Sequence, residues 1–366
     1  MRTFFILLIL QAYLCAYCLT SRAEDKPCPN PAGDDVKDGR ILMLAPIDKK
    51  AHIPEELARA EKGRFTTIYA CAFTRGGAYY HSSACPVHKH VSDKFKPFPE
   101  LLTQAREKGI RVYALLALFY WNDEMFKICP YRMQISGKGQ SGAAPCFYRP
   151  ETRELMVKIA REVIERFGNE LDGVVIDLMP YNWETYCTCD YCRKTFQERA
   201  GSDITRLSRK NKPADLEARH RAWRNEVRTA LISEIYQGVK KRPNHLPVVV
   251  IVSPKELDYG ASLIRLHAAD KILMMDYVYY YSDADGPAKQ FRAWLNTQLQ
   301  HLGADRLIAG LAAFRFNREK QQREPKTVKH ISSEIELLQA DHLPFAVYYS
   351  HLVSDAQLKY FAKIAR

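Results

Sequence analysis

Leu171-Asp172-Gly173-Val174-Val175-Ile176-Asp177-Leu178-Met179-Pro180-Tyr181 (LDGVVIDLMPY) decides the fold. It is a short apolar run, rich in β-branched residues, with a carboxylate near its end and a proline just past it. An amphipathic segment precedes it and a cysteine-rich loop, Cys187-Thr188-Cys189-Asp190-Tyr191-Cys192, follows. A parallel strand buried on both faces reads this way. In a closed barrel of alternating strands and helices, a charged group at the C-terminal tip of such a strand is placed for chemistry.

The chain on either side repeats the pattern. Thr152–Phe167 reads as a helix, with Leu155, Met156, Ile159, Ala160, Val163, Ile164 and Phe167 in one apolar stripe. Upstream, Arg40–Pro46, Phe65–Thr74 and Ile110–Phe119 read as strands. Pro54–Lys62 and Phe98–Lys108 are the helices between them, the second ending on Gly109. Downstream come a long helix over Leu216–Lys241 and strands over Pro247–Val252, Ile272–Val278, Leu307–Phe314 and Phe345–Tyr349. Helices over Ala288–Leu302, Thr327–Gln339 and Asp355–Ile364 complete the series. Arg75–Lys96 and Tyr120–Tyr148 read as long loops. Strands and helices alternating in this way predict a parallel sheet, and eight such units predict a single (β/α)8 TIM barrel with extended loops over residues 40–366. A doubly wound open sheet is the rival; no Gly-rich phosphate loop follows the first strand to support it.

The N-terminus is of a different kind. Met1 and Arg2 precede an apolar run from Phe4 to Leu19, broken mainly by Gln11 and followed by Ser21-Arg22-Ala23. Residues 1–23 are expected to be a cleaved signal peptide, and residues 24–39, polar and proline-rich, a flexible leader. Cys15 and Cys18 follow bulky residues rather than the small ones that a lipoprotein signal requires. The expected location is therefore secreted or periplasmic, with no transmembrane segment beyond the signal. The formal charge of +12 is spread along the predicted helices, without an aromatic-interleaved basic patch, which argues against a nucleic-acid partner.

Eight cysteines follow the leader's first residues: Cys28, Cys71, Cys85, Cys129, Cys146, Cys187, Cys189 and Cys192. In an oxidising compartment an even number predicts disulfides. Cys71 with Cys85 and Cys129 with Cys146 are the expected local pairs. The secondary reading is a structural metal held by Cys187, Cys189 and Cys192, with a histidine or Cys28 as fourth ligand.

Candidate chemistry lies at the predicted strand tips: Asp48, Asp123, Glu124, Asp177, Glu184, Glu256, Asp258, Asp276 and Asp283. Aromatic residues share that rim, chiefly Tyr80, Tyr120, Trp121, Tyr181, Trp183, Tyr277, Tyr279 and Tyr348. Flat aromatics stack on pyranose rings, and a pair of carboxylates supplies the acid and the nucleophile or base of glycoside cleavage. Asp177 is the expected nucleophile or transition-state stabiliser, with Asp276 or Glu256 as partner and no organic cofactor.

The stretch LDGVVIDLMPYNW followed by CTCDYCRKTF resembles the strand-four region of glycoside-hydrolase-like (β/α)8 barrel proteins. This group includes bacterial glycosidases and the hydrolase domain of periplasmic poly-N-acetylglucosamine-processing proteins. The matching residues are Asp172-Gly173, Asp177, Cys187, Cys189, Cys192 and Phe196. The resemblance implies the barrel and hydrolysis of a cell-wall or extracellular polysaccharide. Against the strand-four motif of family-18 chitinases, Asp172 and Asp177 match, but Val175 and Met179 stand where an aspartate and the general acid belong. Substrate-assisted chemistry of the chitinase type is therefore not expected. Two other readings stay open: a catalytically inactive, lectin-like barrel, and a metal-dependent polysaccharide deacetylase using His81, His88, His90 and acids.

Overall fold

The structure, a computed structural model, describes residues 39–135, 139–177, 186–208, 212–252, 268–275, 287–317 and 322–365. Eight parallel strands close on themselves: β1 (Arg40–Met43), β2 (Thr67–Thr74), β4 (Arg111–Leu116), β7 (Gly173–Asp177), β8 (Val248–Val252), β9 (Lys271–Met275), β10 (Leu307–Ala312) and β13 (Phe345–Tyr348). β1 pairs with both β2 and β13, in the registers Leu42 to Ile68 and Leu42 to Val347, which completes the ring. This is the predicted (β/α)8 barrel.

The helices follow the strands: α1 (His52–Lys62), α2 (Pro97–Glu107), α4 (Pro150–Phe167), α6 (Ala214–Lys240), α7 (Pro287–Leu302), α8 (Val328–Ala340) and α9 (Asp355–Ile364). Two more, α3 (Asp123–Ile128) and α5 (Asp190–Ala200), lie in segments read from sequence as loop. So do β3 (Gly77–Ala78), which pairs antiparallel with the end of β2, and the hairpin of β5 (Arg132–Ile135) with β6 (Gly139–Pro145). A second hairpin, β11 (Phe314–Asn317) with β12 (Gln322–Pro325), starts at the last residue of the predicted seventh strand and continues where the sequence predicts no element. Among the described residues no helix is long and apolar enough to cross a membrane.

Strand alternation divides the buried residues into two sets. Leu42, Ile68, Val112, Val174, Ile176, Val250 and Met274 join the core beneath the helices. The α4 stripe meets that core as predicted, with Met156, Ile159, Ala160, Val163, Ile164 and Phe167 buried and Leu155 partly so. The alternate positions, Met43, Tyr69, Cys71, Tyr113, Leu115, Val175, Asp177, Ile251, Leu273 and Met275, face the lumen. Their register is continuous around the barrel: Met43 to Tyr69, Tyr69 to Tyr113, Leu115 to Val175, Asp177 to Ile251. The rings of Tyr69 and Tyr113 touch inside, 5.3 Å between centroids.

The lower rim is tied by side chains. The Asp172 carboxylate accepts from the Val112 amide at 2.8 Å, while its own amide donates to the Val112 carbonyl at 2.9 Å. Asp270 repeats this arrangement on Val248 and is also paired with Lys240 at 2.7 Å. Asp172, the first acid of the motif, is thus a structural group at the end of the barrel opposite Asp177. At the seam, Ser350 Oγ accepts from the Ala45 amide at 3.1 Å, and Arg59 donates to the Ser350 carbonyl at 2.8 Å, fastening the chain after β13 to β1.

Candidate active site

Asp177 is the last residue of β7, half-buried and lumen-facing at the C-terminal mouth. Cys71, lumen-facing on β2, lies within the field of Asp177. Burial pushes the Cys71 thiol up to about 12, and the charges of Asp177 and Asp48 add to the rise while Arg75 opposes it. Cys71 therefore links Asp177 to the loop after β1, which carries Asp48.

Around Asp48 stands a polar cluster. The Tyr79 hydroxyl donates to Asp48 Oδ1 at 3.4 Å and lies 3.3 Å from His88 Nε2. The Tyr79 and His88 rings stack at 4.4 Å, and His88 and His90 approach to 5.1 Å. His90 Nε2 is 3.7 Å from Asp48 Oδ1. The donor atoms of Asp48, His88 and His90 all lie within 4.8 Å of one another, a spacing that could hold a cation. Burial lowers the pKa of His88, although Asp48 pulls it upward, so the neutral ligand form is favoured. Burial, then the proximity of Cys71 and Asp48, raises Tyr79 and keeps its proton in place for donation. The turn carrying these groups is fixed by Gly76, at φ +70°, where a Cβ would stand 2.3 Å from the Asn122 amide nitrogen.

The other sequence candidates fall into two groups. Glu184, Glu256, Asp258, Asp276, Asp283, Tyr181, Trp183, Tyr277 and Tyr279 lie outside the described residues. The rest are placed. Tyr80 is fully buried; its ring meets Phe167 edge-on and its hydroxyl donates to Glu162 at 2.9 Å. Trp121 is also buried, its indole donating to the Leu118 carbonyl at 2.8 Å. Neither offers a face to a ligand; both hold loops to the barrel. Tyr348 is buried at the end of β13, facing the lumen side, with Phe314 edge-on at 6.0 Å. Tyr120 is half-buried. Asp123 and Glu124 form the first turn of α3 and pair with Arg132 and Lys127. His81 lies beside Asp93, at 3.5 Å, rather than with His88 and His90.

The cysteines differ from the expected local pairs. Among the described cysteines no two are at disulfide-bonding distance. Cys71 faces the lumen, whereas Cys85 contacts Ser82 Oγ at 3.3 Å. Cys129 lies 3.7 Å from Thr152 Oγ1, and its expected partner Cys146 instead joins the loop after β7. Cys146, Cys187, Cys189 and Cys192 are all buried, with their sulfurs within 4.8 Å of one another. Hydrogen bonding from Cys146, then Cys187 and Cys192, drives Cys189 far below the usual thiol range, while burial drives Cys192 above it. Sequence reading found the three close cysteines and missed the fourth.

No protein-family model and no curated protein matches the chain. Solved structures do. The α-L-fucosidase isoenzyme 2 from Paenibacillus thiaminolyticus matches with a TM-score of 0.60 at 14% identity, over 89% of this chain and 48% of that one. The β-galactosidase from Rahnella sp. R3 matches at 0.62 and 13%, over 88% and 55%. The catalytic domain of the β-amylase from Paenibacillus polymyxa matches at 0.61 and 10%, over 87% and 94%. The chain spans about half the length of the fucosidase and the β-galactosidase. At these identities the likeness is one of fold: this is a (β/α)8 barrel of the kind that glycoside hydrolases use.

Proposed function

We propose that the chain is an exported glycoside hydrolase that cleaves a cell-wall or extracellular polysaccharide. The observation that carries this reading is the position of Asp177: lumen-facing, at the tip of β7, in a barrel of the glycosidase type. Barrel enzymes act at that face because the strand ends hold side chains rigidly around one mouth. Asp177 serves as nucleophile or as the carboxylate that stabilises the oxocarbenium-like transition state. Asp276 or Glu256 supplies the acid. Export rests on residues 1–23.

The test is product release from a panel of purified polysaccharides and peptidoglycan, with wild type beside Asp177→Asn. Release by the wild type and its loss in the folded variant are expected. Equal turnover by both proteins would remove Asp177 from the mechanism. Binding without turnover in both would make the barrel a lectin.

The Asp48–His88–His90 cluster favours a second reading, a metal-dependent deacetylase of N-acetylated glycans. Two histidines and a carboxylate suit a divalent cation that activates water. Acetate release that requires added metal and disappears in His88→Ala distinguishes this reading from glycoside cleavage.

A further inference from the structure

The four buried cysteines have a geometry that neither free thiols nor disulfides explain. Cys146 Sγ lies 3.8 Å from Cys189 Sγ and 3.5 Å from Cys192 Sγ. A disulfide needs a separation of about 2.05 Å. A tetrahedron of thiolates around zinc, with metal–sulfur bonds of about 2.3 Å, has sulfur–sulfur edges of about 3.8 Å. All four sulfurs, not just one pair, lie within 4.8 Å of one another. Each cysteine is at most 6% exposed.

The surroundings suit an anionic cluster. Cys189 is the N-cap of α5 and Cys192 lies in its first turn, where the helix dipole favours negative charge. The Gln134 amide donates to Cys187 Sγ at 3.3 Å. The Arg149 guanidinium, 4.1 Å over the Tyr131 ring and 5.2 Å from that of Tyr191, lies within the field of Cys189 and Cys146. The four ligands come from two distant parts of the chain. Cys146 follows β6, its amide donating to the Tyr131 carbonyl at 2.7 Å, and the other three lie in the loop after β7 and the start of α5. The β5–β6 hairpin is stitched to that loop again by Thr188, whose amide and hydroxyl both donate to the Gln134 carbonyl, at 2.6 and 2.9 Å.

We infer that Cys146, Cys187, Cys189 and Cys192 form a closed tetrathiolate site for a structural zinc ion. Four protein ligands leave no open coordination position, so the ion does not take part in chemistry. It clamps the β5–β6 hairpin to the stretch that starts at Cys187, ten residues beyond Asp177, and runs into α5. The site does not depend on which glycan, if any, the barrel cleaves.

The experiment is elemental analysis of the full chain, purified anaerobically, together with cobalt substitution. One zinc per chain is expected to survive dialysis. The cobalt form should show the intense sulfur-to-metal charge-transfer bands of a tetrahedral tetrathiolate. Cys192→Ser should lose the ion, while Cys129→Ser, which alters a buried cysteine outside the cluster, should keep it. Where Cys192→Ser fails to fold, the cobalt spectrum of the wild type decides. Absence of metal from wild-type protein, even after refolding with equimolar zinc, would overturn the site. So would a mass deficit showing that any two of these four cysteines are joined as a disulfide, or a cobalt spectrum without thiolate bands.

Discussion

The ring of Tyr113 occupies the space that any side chain on Gly173 would need. A Cβ on Gly173 would stand 2.1 Å from Tyr113 Cε1 and 2.3 Å from Cδ1. Both residues face the lumen in direct register, Tyr113 on β4 and Gly173 on β7. The glycine of the Asp-Gly pair is thus required by packing inside the barrel. Gly173→Ala is expected to cost about 1–3 kcal/mol through overpacking. Denaturant unfolding would measure it, and combining it with Tyr113→Leu should cost less than the sum of the two single changes, because the ring that causes the clash is gone.

The eight barrel strands were legible because strands buried on both faces read as apolar runs, LDGVVID and PVVVIV among them. The lesser elements were not. The first strand of the β5–β6 hairpin alternates over only four residues, with Met133 and Ile135 its apolar positions, and the second carries two glycines and no large apolar residue. α5 carries its buried residues, Cys192, Phe196 and Ala200, at helical spacing, but the cysteines drew the segment into a loop reading. Asp177 was legible as a strand tip. The groups around it were not, since periodicity reports which face a residue takes and never which residue it meets. Cys146 reaches Cys189 across 43 positions, and Asp48 meets His88 and His90 only once β1 and β2 are paired. Tyr80 and Trp121 were counted as rim aromatics because sequence does not distinguish an exposed ring from one packed under a loop.

Cys71 reports on the electrostatics of the mouth. With its pKa pushed up to about 12, it should be almost wholly protonated at neutral pH. Alkylation by iodoacetamide, mapped residue by residue by mass spectrometry, should show no inflection at Cys71 below about pH 11. Asp177→Asn removes one of the charges that oppose thiolate formation, so the inflection should move to lower pH. No movement would place Asp177 too far from Cys71 to act on it.

Lys326 and Glu334 form an ion pair whose side chains are fully buried, with Nζ at 3.0 and 3.2 Å from the two carboxylate oxygens. Gln357 bonds to the Lys326 carbonyl at 2.8 Å and to the Ala313 carbonyl at 3.0 Å, so the pair links the chain after β10 to α8 and α9. Removing one partner strands a charge in the core. Lys326→Met and Glu334→Leu should each destabilise by about 3–5 kcal/mol, and the double variant should recover much of that loss. Chemical denaturation of all four proteins closes the cycle. Additive losses would mean that the charges are solvated in solution.

His220 should make the barrel sensitive to mild acid. Its Nε2 lies 2.9 Å from the Tyr148 hydroxyl, and Tyr186, Phe196 and Trp223 surround the ring. Burial, with smaller contributions from Arg224, Arg221 and Lys212, lowers its pKa from 6.5 to about 3. Above pH 6.5 the imidazole is neutral in both the folded and the unfolded chain and contributes no pH dependence. Below that value the unfolded chain takes up a proton that the folded one refuses. Stability therefore falls by roughly 1.4 kcal/mol per pH unit from this group alone, until the pH nears the folded value. His220→Gln has no such proton to take up. The difference in unfolding free energy between the two proteins should be constant above pH 7 and should narrow steadily between pH 6 and 4. Parallel curves across that range would show that His220 is protonated in the folded protein.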